Sequence, residues 1–222
     1  EQIRGWFNLL MVASVIAFKK PSFKSCYMHG MLTDVEGKKM SKSLGNIISP
    51  FELVDKHGVD TLRYYMCETQ PGLDINFSWE EAKIKFKNLQ VFWNIHNYLL
   101  DLTRTHNIKP QAIEVEKLDD EEKYILSRVH TAIQEVGRLH EEYQLSELTP
   151  LLEALYLDVS RGYIQFVRDK EDKQMVVDAV FDSLLNILKI MAPNLPFISE
   201  AIYQALKQEY GLETESVHLF SW

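Results

Sequence analysis

The sequence predicts an α/β segment followed by an all-α segment, and three observations carry that prediction. The first third alternates apolar stretches of different periodicity around glycine-containing turns. From residue 78 onward apolar residues recur at helical spacing, and the connectors between those stretches are short and polar, the pattern of an antiparallel helical bundle. The change of pattern sets the boundary near residue 76, giving units at 1–75 and 76–222.

Each element has a local reason. "GWFNLLMVASVIAF" (5–18) carries apolar residues at 6, 9, 10, 13, 16 and 17, a helical stripe. "SCYMHGML" (25–32) reads as a short buried strand, and "TDVEGKK" has the Asp and Gly of a tight turn. Ser49, Pro50 and Glu52 spell a helix start with a capping box, with Gly58 as its stop, and "VDTLRYYMCE" reads as a second helix. Ser78 and Glu81 form another capping box, opening a long helix to about Leu102. After the polar connector "NIKPQAIEVEKLDDEE", apolar positions 125, 129, 133, 136, 139 and 143 mark the next helix. Thr149–Pro150 begins one through "LLEALYLDVSRGYIQFVRD". "MVVDAVFDSLLNILKIM" is another, ended by "APNLP", and "FISEAIYQALKQEY" is the last before Gly211. The aromatics Trp79, Phe86, Phe92 and Trp93 along the long helix are expected in the bundle core rather than as stacking platforms.

Composition narrows the function. With 46% hydrophobic residues in 222, the chain can bury a substantial core. No apolar run reaches the roughly 20 residues of a membrane span, and the first residues show neither a signal peptide nor an initiator Met, which suggests a piece of a longer polypeptide. Two cysteines predict a reducing compartment, the cytoplasm. The seven histidines form no zinc-binding pattern, so no metal site is expected. Net charge is −8, but unevenly placed: residues 1–75 hold nine Lys/Arg against eight Asp/Glu, and residues 76–222 hold fifteen against twenty-four. The acidic second unit argues against nonspecific nucleic-acid binding.

Against that background "DVEGKKMSKSLGN" (34–46) is unusual. Lys38, Lys39 and Lys42 lie within five residues, with Ser41 and Ser43 interleaved and Gly37 and Gly45 on either side. Flexible ammonium groups and hydroxyls suit phosphate oxygens, and the glycines let the loop bend. Met40 is the apolar anchor. Neither a Walker-type loop nor G-x-G-x-x-G is present. On residue chemistry alone, an anion-gripping loop and a solvated basic turn both fit.

"KMSKS" at 39–43 resembles the signature loop of class I aminoacyl-tRNA synthetases. "HGML" upstream and "HGVDTLRYYM" downstream resemble the same family in the same order. "EQIRGWF" is similar to the segment of its isoleucine-specific members, with Glu1 in place of an aspartate. "DVSRGYIQFVRD", "MAPNLPFISEAIY" and "SVHLFSW" resemble the family's anticodon-binding region. The resemblance implies the C-terminal part of a Rossmann-like nucleotide-binding domain followed by an anticodon-binding bundle. It further implies ATP with Mg2+, L-isoleucine and tRNA(Ile) as substrates and partners, and a monomeric parent enzyme.

By the same resemblance Lys42 is the critical catalytic charge with Lys39 assisting. Lys39, Met40, Ser41, Lys42 and Ser43 would bind ATP, and His29 and Gly30 would lie beside its adenine. Gln2 and Trp6 would border the adenylate and the amino-acid side chain. Periodicity alone reads Trp6 as core, and His29 could equally be a satisfied strand-end histidine. Arg161 and Arg168, seven apart on one predicted helix face, are candidates for tRNA phosphates, or for pairing with Asp158 and Asp169. No H-I-G-H occurs in these residues, and the family's editing domain is missing, so the chain alone is expected to lack amino-acid activation. A valine- or leucine-specific relative and a non-catalytic tRNA-binding module are the competing readings.

Overall fold

The computed structural model describes residues 2–221. Glu1 and Trp222, which complete the "EQIRGWF" and "SVHLFSW" resemblances, lie outside the described residues. The fold is mostly helical with one small sheet. A π-helical turn, Ile3–Phe7, leads into α1 (Asn8–Phe18). Then come β1 (Leu32–Thr33), α2 (Pro50–His57), α3 (Val59–Met66), β2 (Ile75–Asn76) and α4 (Trp79–His106). The rest comprises α5 (Asp120–Glu141), α6 (Leu148–Leu157), α7 (Ile164–Phe166), α8 (Lys173–Met191) and α9 (Pro196–Tyr210), with a π-helical stretch, Asp158–Tyr163, joining α6 to α7.

The helical expectations hold best where an apolar stripe meets other stripes. Ile125, Val129, Val136 and Leu139 of α5 are buried, whereas Tyr143 lies past the helix end with φ 58° and is exposed. Fully buried Phe92, Ile95 and Leu99 from α4, Leu152 and Leu155 from α6, Leu184 and Ile187 from α8, and Ile202 and Leu206 from α9 complete the main core. Of the four aromatics expected in that core, only Phe92 is there: Trp93 is exposed, Phe86 leans on the His57 ring at 5.1 Å, and Trp79 packs on a smaller cluster.

Four expectations are corrected, the last of them in half. "SCYMHGML" is not a buried strand: residues 25–29 are exposed, and apart from an isolated bridge between His29 and Pro71 the pairing is limited to Leu32–Thr33, in parallel with Ile75–Asn76. Parallel pairing is found where both faces of the sheet are covered, and here the ladder is two residues long, with a single antiparallel bridge from Thr33 to Lys39 on its other side. The stripe on α1 finds no core either, and no residue of that helix is buried. At α2 the Ser49 hydroxyl makes no capping bond, though Pro50 does occupy the first turn. At α4 the Ser78 hydroxyl accepts from the Glu81 N–H (3.2 Å), but the return half of the box is filled by the Tyr65 hydroxyl, which accepts from the Ser78 N–H (3.0 Å).

Helix α3 is the hinge of the packing. Tyr64 enters the main core and its neighbour Tyr65 enters a smaller one with Leu53, Phe77 and Ala82. One helical turn ties it to the α8–α9 corner: Arg63 donates to the carbonyls of Asn194 (2.9 Å) and Pro193 (3.1 Å), and Asp60 accepts from the Ile198 N–H (2.5 Å). A cation thus meets the end of one helix and an anion the start of the next, as the helix dipoles favour. Below, the Tyr64 hydroxyl donates to Glu153 (2.6 Å). Glu153 also takes Lys85 (3.0 Å) and Asn88 (2.7 Å), and Lys85 reaches Glu68 (2.5 Å). Burial raises the Glu153 pKa, but these donors outweigh it and leave the group below its ordinary value. Lys85→Met leaves two partly buried carboxylates without their cation, and urea unfolding should show a loss of about 1–3 kcal/mol.

Candidate functional site

The loop after β1 is built on one carboxylate. Asp34 Oδ1 accepts from the N–H of Glu36 (3.0 Å) and of Lys38 (2.8 Å), an Asx-type turn. The Asp34 N–H donates to the Lys38 carbonyl (2.9 Å), and Gly37 closes the turn with φ 78°, a conformation that favours glycine. The chain returns antiparallel, with Lys39 bridged to Thr33. Met40 is half-buried, and its sulfur accepts from the Ile48 N–H (3.4 Å). Ser41 and Ser43 share a hydroxyl–hydroxyl bond (3.1 Å), and the Ser41 hydroxyl also accepts from the Leu44 N–H (3.3 Å).

The three lysines differ. Lys38 is paired with Glu36 at 2.6 Å. Lys39 and Lys42 are exposed, and among the described residues neither ammonium has a carboxylate partner. Asn46 spans the loop: its Oδ1 accepts from the Ser41 N–H (2.9 Å), and its Nδ2 donates to Asp34 Oδ2 (2.7 Å) and to the Lys39 carbonyl (3.3 Å). The Asn46 donation is the largest influence on Asp34. With the Lys38 and Glu36 N–H bonds it outweighs the opposing effect of burial and holds the carboxyl below the usual 3.8. Sequence reasoning passed over Asp34 and Asn46; the Asx turn before Gly37 was the one local signal for the first. The two limbs and Trp79 enclose an open cleft of ≈ 630 Å³, and the Lys56 ammonium lies 4.4 Å over the Trp79 ring.

The strand-like stretch beside the loop contributes His29 and Gly30. His29 is exposed, bridges to Pro71, and donates from Nδ1 to the Gly30 carbonyl (2.7 Å). A Cβ at Gly30 would sit 1.8 Å from the Leu73 carbonyl oxygen, so only glycine fits. The remaining candidates are scattered. Gln2 and Trp6 lie on the exposed first turns of the N-terminal helix. Arg161 lies in the π-helical stretch, but Arg168 follows the end of α7, so the single helix face expected for the pair is broken. Asp158, the partner expected for Arg161, is bound to Arg128 at 2.7 Å. Three clustered carboxylates, Asp119, Glu121 and Glu122, surround the Lys170 ammonium at 2.8, 3.8 and 2.6 Å, which accounts for them without a metal.

Residues 1–78 match the family described as tRNA synthetases class I (I, L, M and V), and residues 122–222 match the anticodon-binding domain of tRNA ligase. The chain belongs to the class I tRNA synthetases, as a catalytic-domain segment followed by an anticodon-binding domain. Curated relatives that the chain matches include isoleucine–tRNA ligases. Those of Methanospirillum hungatei and Pyrococcus horikoshii are 34% and 36% identical across the whole chain. The chain spans 23% and 22% of their respective lengths. Among solved structures, LeuRS of Agrobacterium radiobacter K84, in a ternary complex with tRNA and LeuAMS, aligns over 93% of this chain and 25% of its own, with TM-score 0.71 and 23% identity. Mycobacterium tuberculosis methionyl-tRNA synthetase, in complex with methionyl-adenylate, aligns over 79% and 36%, with TM-score 0.67 and 20% identity. These two share the fold.

Gly30→Ala should push the 28–31 stretch off residues 71–74, lowering the melting temperature and shifting the Leu73 and Asp74 amide signals in nuclear magnetic resonance spectra. The Asp34 carboxyl should titrate with a midpoint below 3.8. Because its folded-state pKa is depressed, its stabilisation is complete above the unfolded value and is lost as pH falls through the folded one. The Lys38 and Ser41 amide signals should move over that same acid window.

Proposed function

We propose that these residues are part of an isoleucine–tRNA ligase that activates isoleucine with ATP and transfers it to tRNA(Ile). Residues 1–75 would be the C-terminal part of a Rossmann-like catalytic domain, and residues 76–222 an antiparallel anticodon-binding bundle. The observation that carries this reading is the pair Lys39 and Lys42, exposed and, among the described residues, without carboxylate partners on an otherwise tightly bonded loop. In activation the isoleucine carboxylate attacks the α-phosphorus of ATP and pyrophosphate leaves; the adenylate then esterifies the tRNA 3′ end. Negative charge grows on the departing phosphates, and ammonium groups already in place stabilise that transition state more than the ground state. Mg2+ enters with the triphosphate as part of the substrate.

In this reading Lys42 and Lys39 neutralise the leaving pyrophosphate, and the Ser41 and Ser43 hydroxyls add hydrogen bonds. Met40 keeps the loop seated through its contact with Ile48. His29 and Gly30 lie beside adenine, where the close packing of Gly30 on Leu73 fixes the backbone. Gln2 and Trp6 flank the branched side chain of the substrate; the exposed indole is suited to be one wall of an apolar pocket. Arg161 and Arg168, both exposed, are assigned to tRNA phosphates. Both cysteines are free and Cys26 is exposed, which supports a reducing compartment such as the cytoplasm.

In the longer enzyme that carries this segment, Lys42→Ala should lower ATP–pyrophosphate exchange on the order of 10²–10³-fold with unchanged circular dichroism. The purified 222-residue chain should give no exchange above background. An active Lys42→Ala enzyme would remove this loop from the reaction.

A further inference from the structure

We propose that Asn46 and Asp34 are positioning residues which hold the loop so that Lys39 and Lys42 are presented together while remaining uncompensated. This rests on the assignment of the loop to phosphate and adds to it the device that sets its shape. Asn46 binds the two backbone groups on either side of Met40: the Lys39 carbonyl (3.3 Å) and the Ser41 N–H (2.9 Å). Its third bond, 2.7 Å to Asp34 Oδ2, ties the outgoing limb to the incoming one. Asp34 in turn receives the Glu36 and Lys38 N–H groups on its other oxygen.

The carboxylate is therefore filled by neutral donors. A buried carboxylate in the middle of three lysines would ordinarily capture one of them. Here Asp34 is 8% exposed and both its oxygens are occupied, so the lysine charges stay outside, available to an anionic ligand. Neutral hydrogen bonds shape the loop without cancelling its field. Lysine alone cannot do this, because a flexible ammonium stem fixes no backbone geometry. A ligand entering from solvent meets two cations carried on one fixed turn, and binding need not first break an internal ion pair.

The test uses three variants of the longer enzyme. Asn46→Asp sets two carboxylates against each other and removes both Nδ2 bonds. Asp34→Asn sets two amide NH2 groups against each other. The double swap Asp34→Asn/Asn46→Asp restores the cross-loop bond with its polarity reversed, because the amide at 34 can donate to the carboxylate at 46. That carboxylate still accepts from the Ser41 N–H, and only the bond to the Lys39 carbonyl stays lost. Each single variant should lower kcat for ATP–pyrophosphate exchange on the order of 10²-fold, as small misplacements of catalytic groups do. KM for ATP should change far less, and the swap should recover at least about tenfold of the loss.

In the chain itself, Asn46→Ala should speed hydrogen exchange at the Ser41 amide with no loss of helix content. This readout stands even if a charged variant folds poorly. Single variants within about threefold of wild type, or a swap no better than the worse single, would overturn the proposal. So would an unaltered Ser41 amide. Lys42→Ala separates the two levels. If it is inactive while the Asn46 and Asp34 variants are normal, only the positioning role fails; if it is itself active, the phosphate assignment fails.

Discussion

If the loop lysines serve a ligand, as proposed, they must be kept from the protein's own carboxylates, and the bonding of the 34–46 loop meets that constraint. The chain carries 32 acidic residues against 24 basic ones, so a lysine or arginine readily meets a carboxylate. Lys38, Lys56, Lys85, Lys117, Lys170, Arg104, Arg128 and Arg138 all do. Among the described residues Lys39 and Lys42, like several other exposed lysines, have no carboxylate partner, and these two sit within four residues of each other on one loop. Their isolation follows from the bonds beneath them, which satisfy Asp34 with amide donors and pull the two limbs into a narrow turn. Exposed ion pairs are worth little energetically. Leaving two lysines unpaired therefore costs the fold almost nothing, while a ligand carrying several negative charges would feel both.

The helical remainder fixes where that loop stands. Tyr64 and Tyr65, adjacent on α3, enter different cores, so the helix cannot rotate without disturbing both. Arg63 and Asp60 seize the α8–α9 corner from the same turn, at carbonyls and an N–H 130 to 138 residues away in sequence. A loop seated on the smaller core is thereby referenced to the large one. Burial raises the Asp60 pKa against the pull of the Ile198 and Phe197 N–H groups and of Arg63, the signature of a carboxylate placed for geometry rather than for solvation. The exposed α1 stands apart from this frame, with apolar residues on every side and none of them buried.

What could be read from the sequence was what depends on neighbours close in sequence. The stripes of α4, α5, α8 and α9, the Ser78 cap, Pro50 at a helix start and Gly211 at a helix end all follow from local chemistry, and the structure has them. Features that depend on distant partners were not legible. The 25–32 stretch looked like a buried strand because its residues are apolar, yet strand formation is decided by adjacent strands. Tyr65 replaced the return half of a capping box from 13 residues upstream. The same limit applied inside the loop. The lysines and serines stand out as a motif, whereas Asn46 and Asp34, twelve residues apart, look like ordinary turn formers until their side chains are seen to meet. The break in the Arg161–Arg168 face had a different origin. A π-helical stretch changes the residues per turn, so a seven-residue spacing no longer marks one side.

A structure of the longer enzyme with bound ATP tests the central claim most directly. The account requires Lys42 Nζ within about 2.7–3.2 Å of a phosphate oxygen, with Asn46 still bridging Asp34, Lys39 and Ser41. Nucleotide bound in the site with both ammonium groups turned to solvent, or paired with carboxylates of the protein, would contradict it.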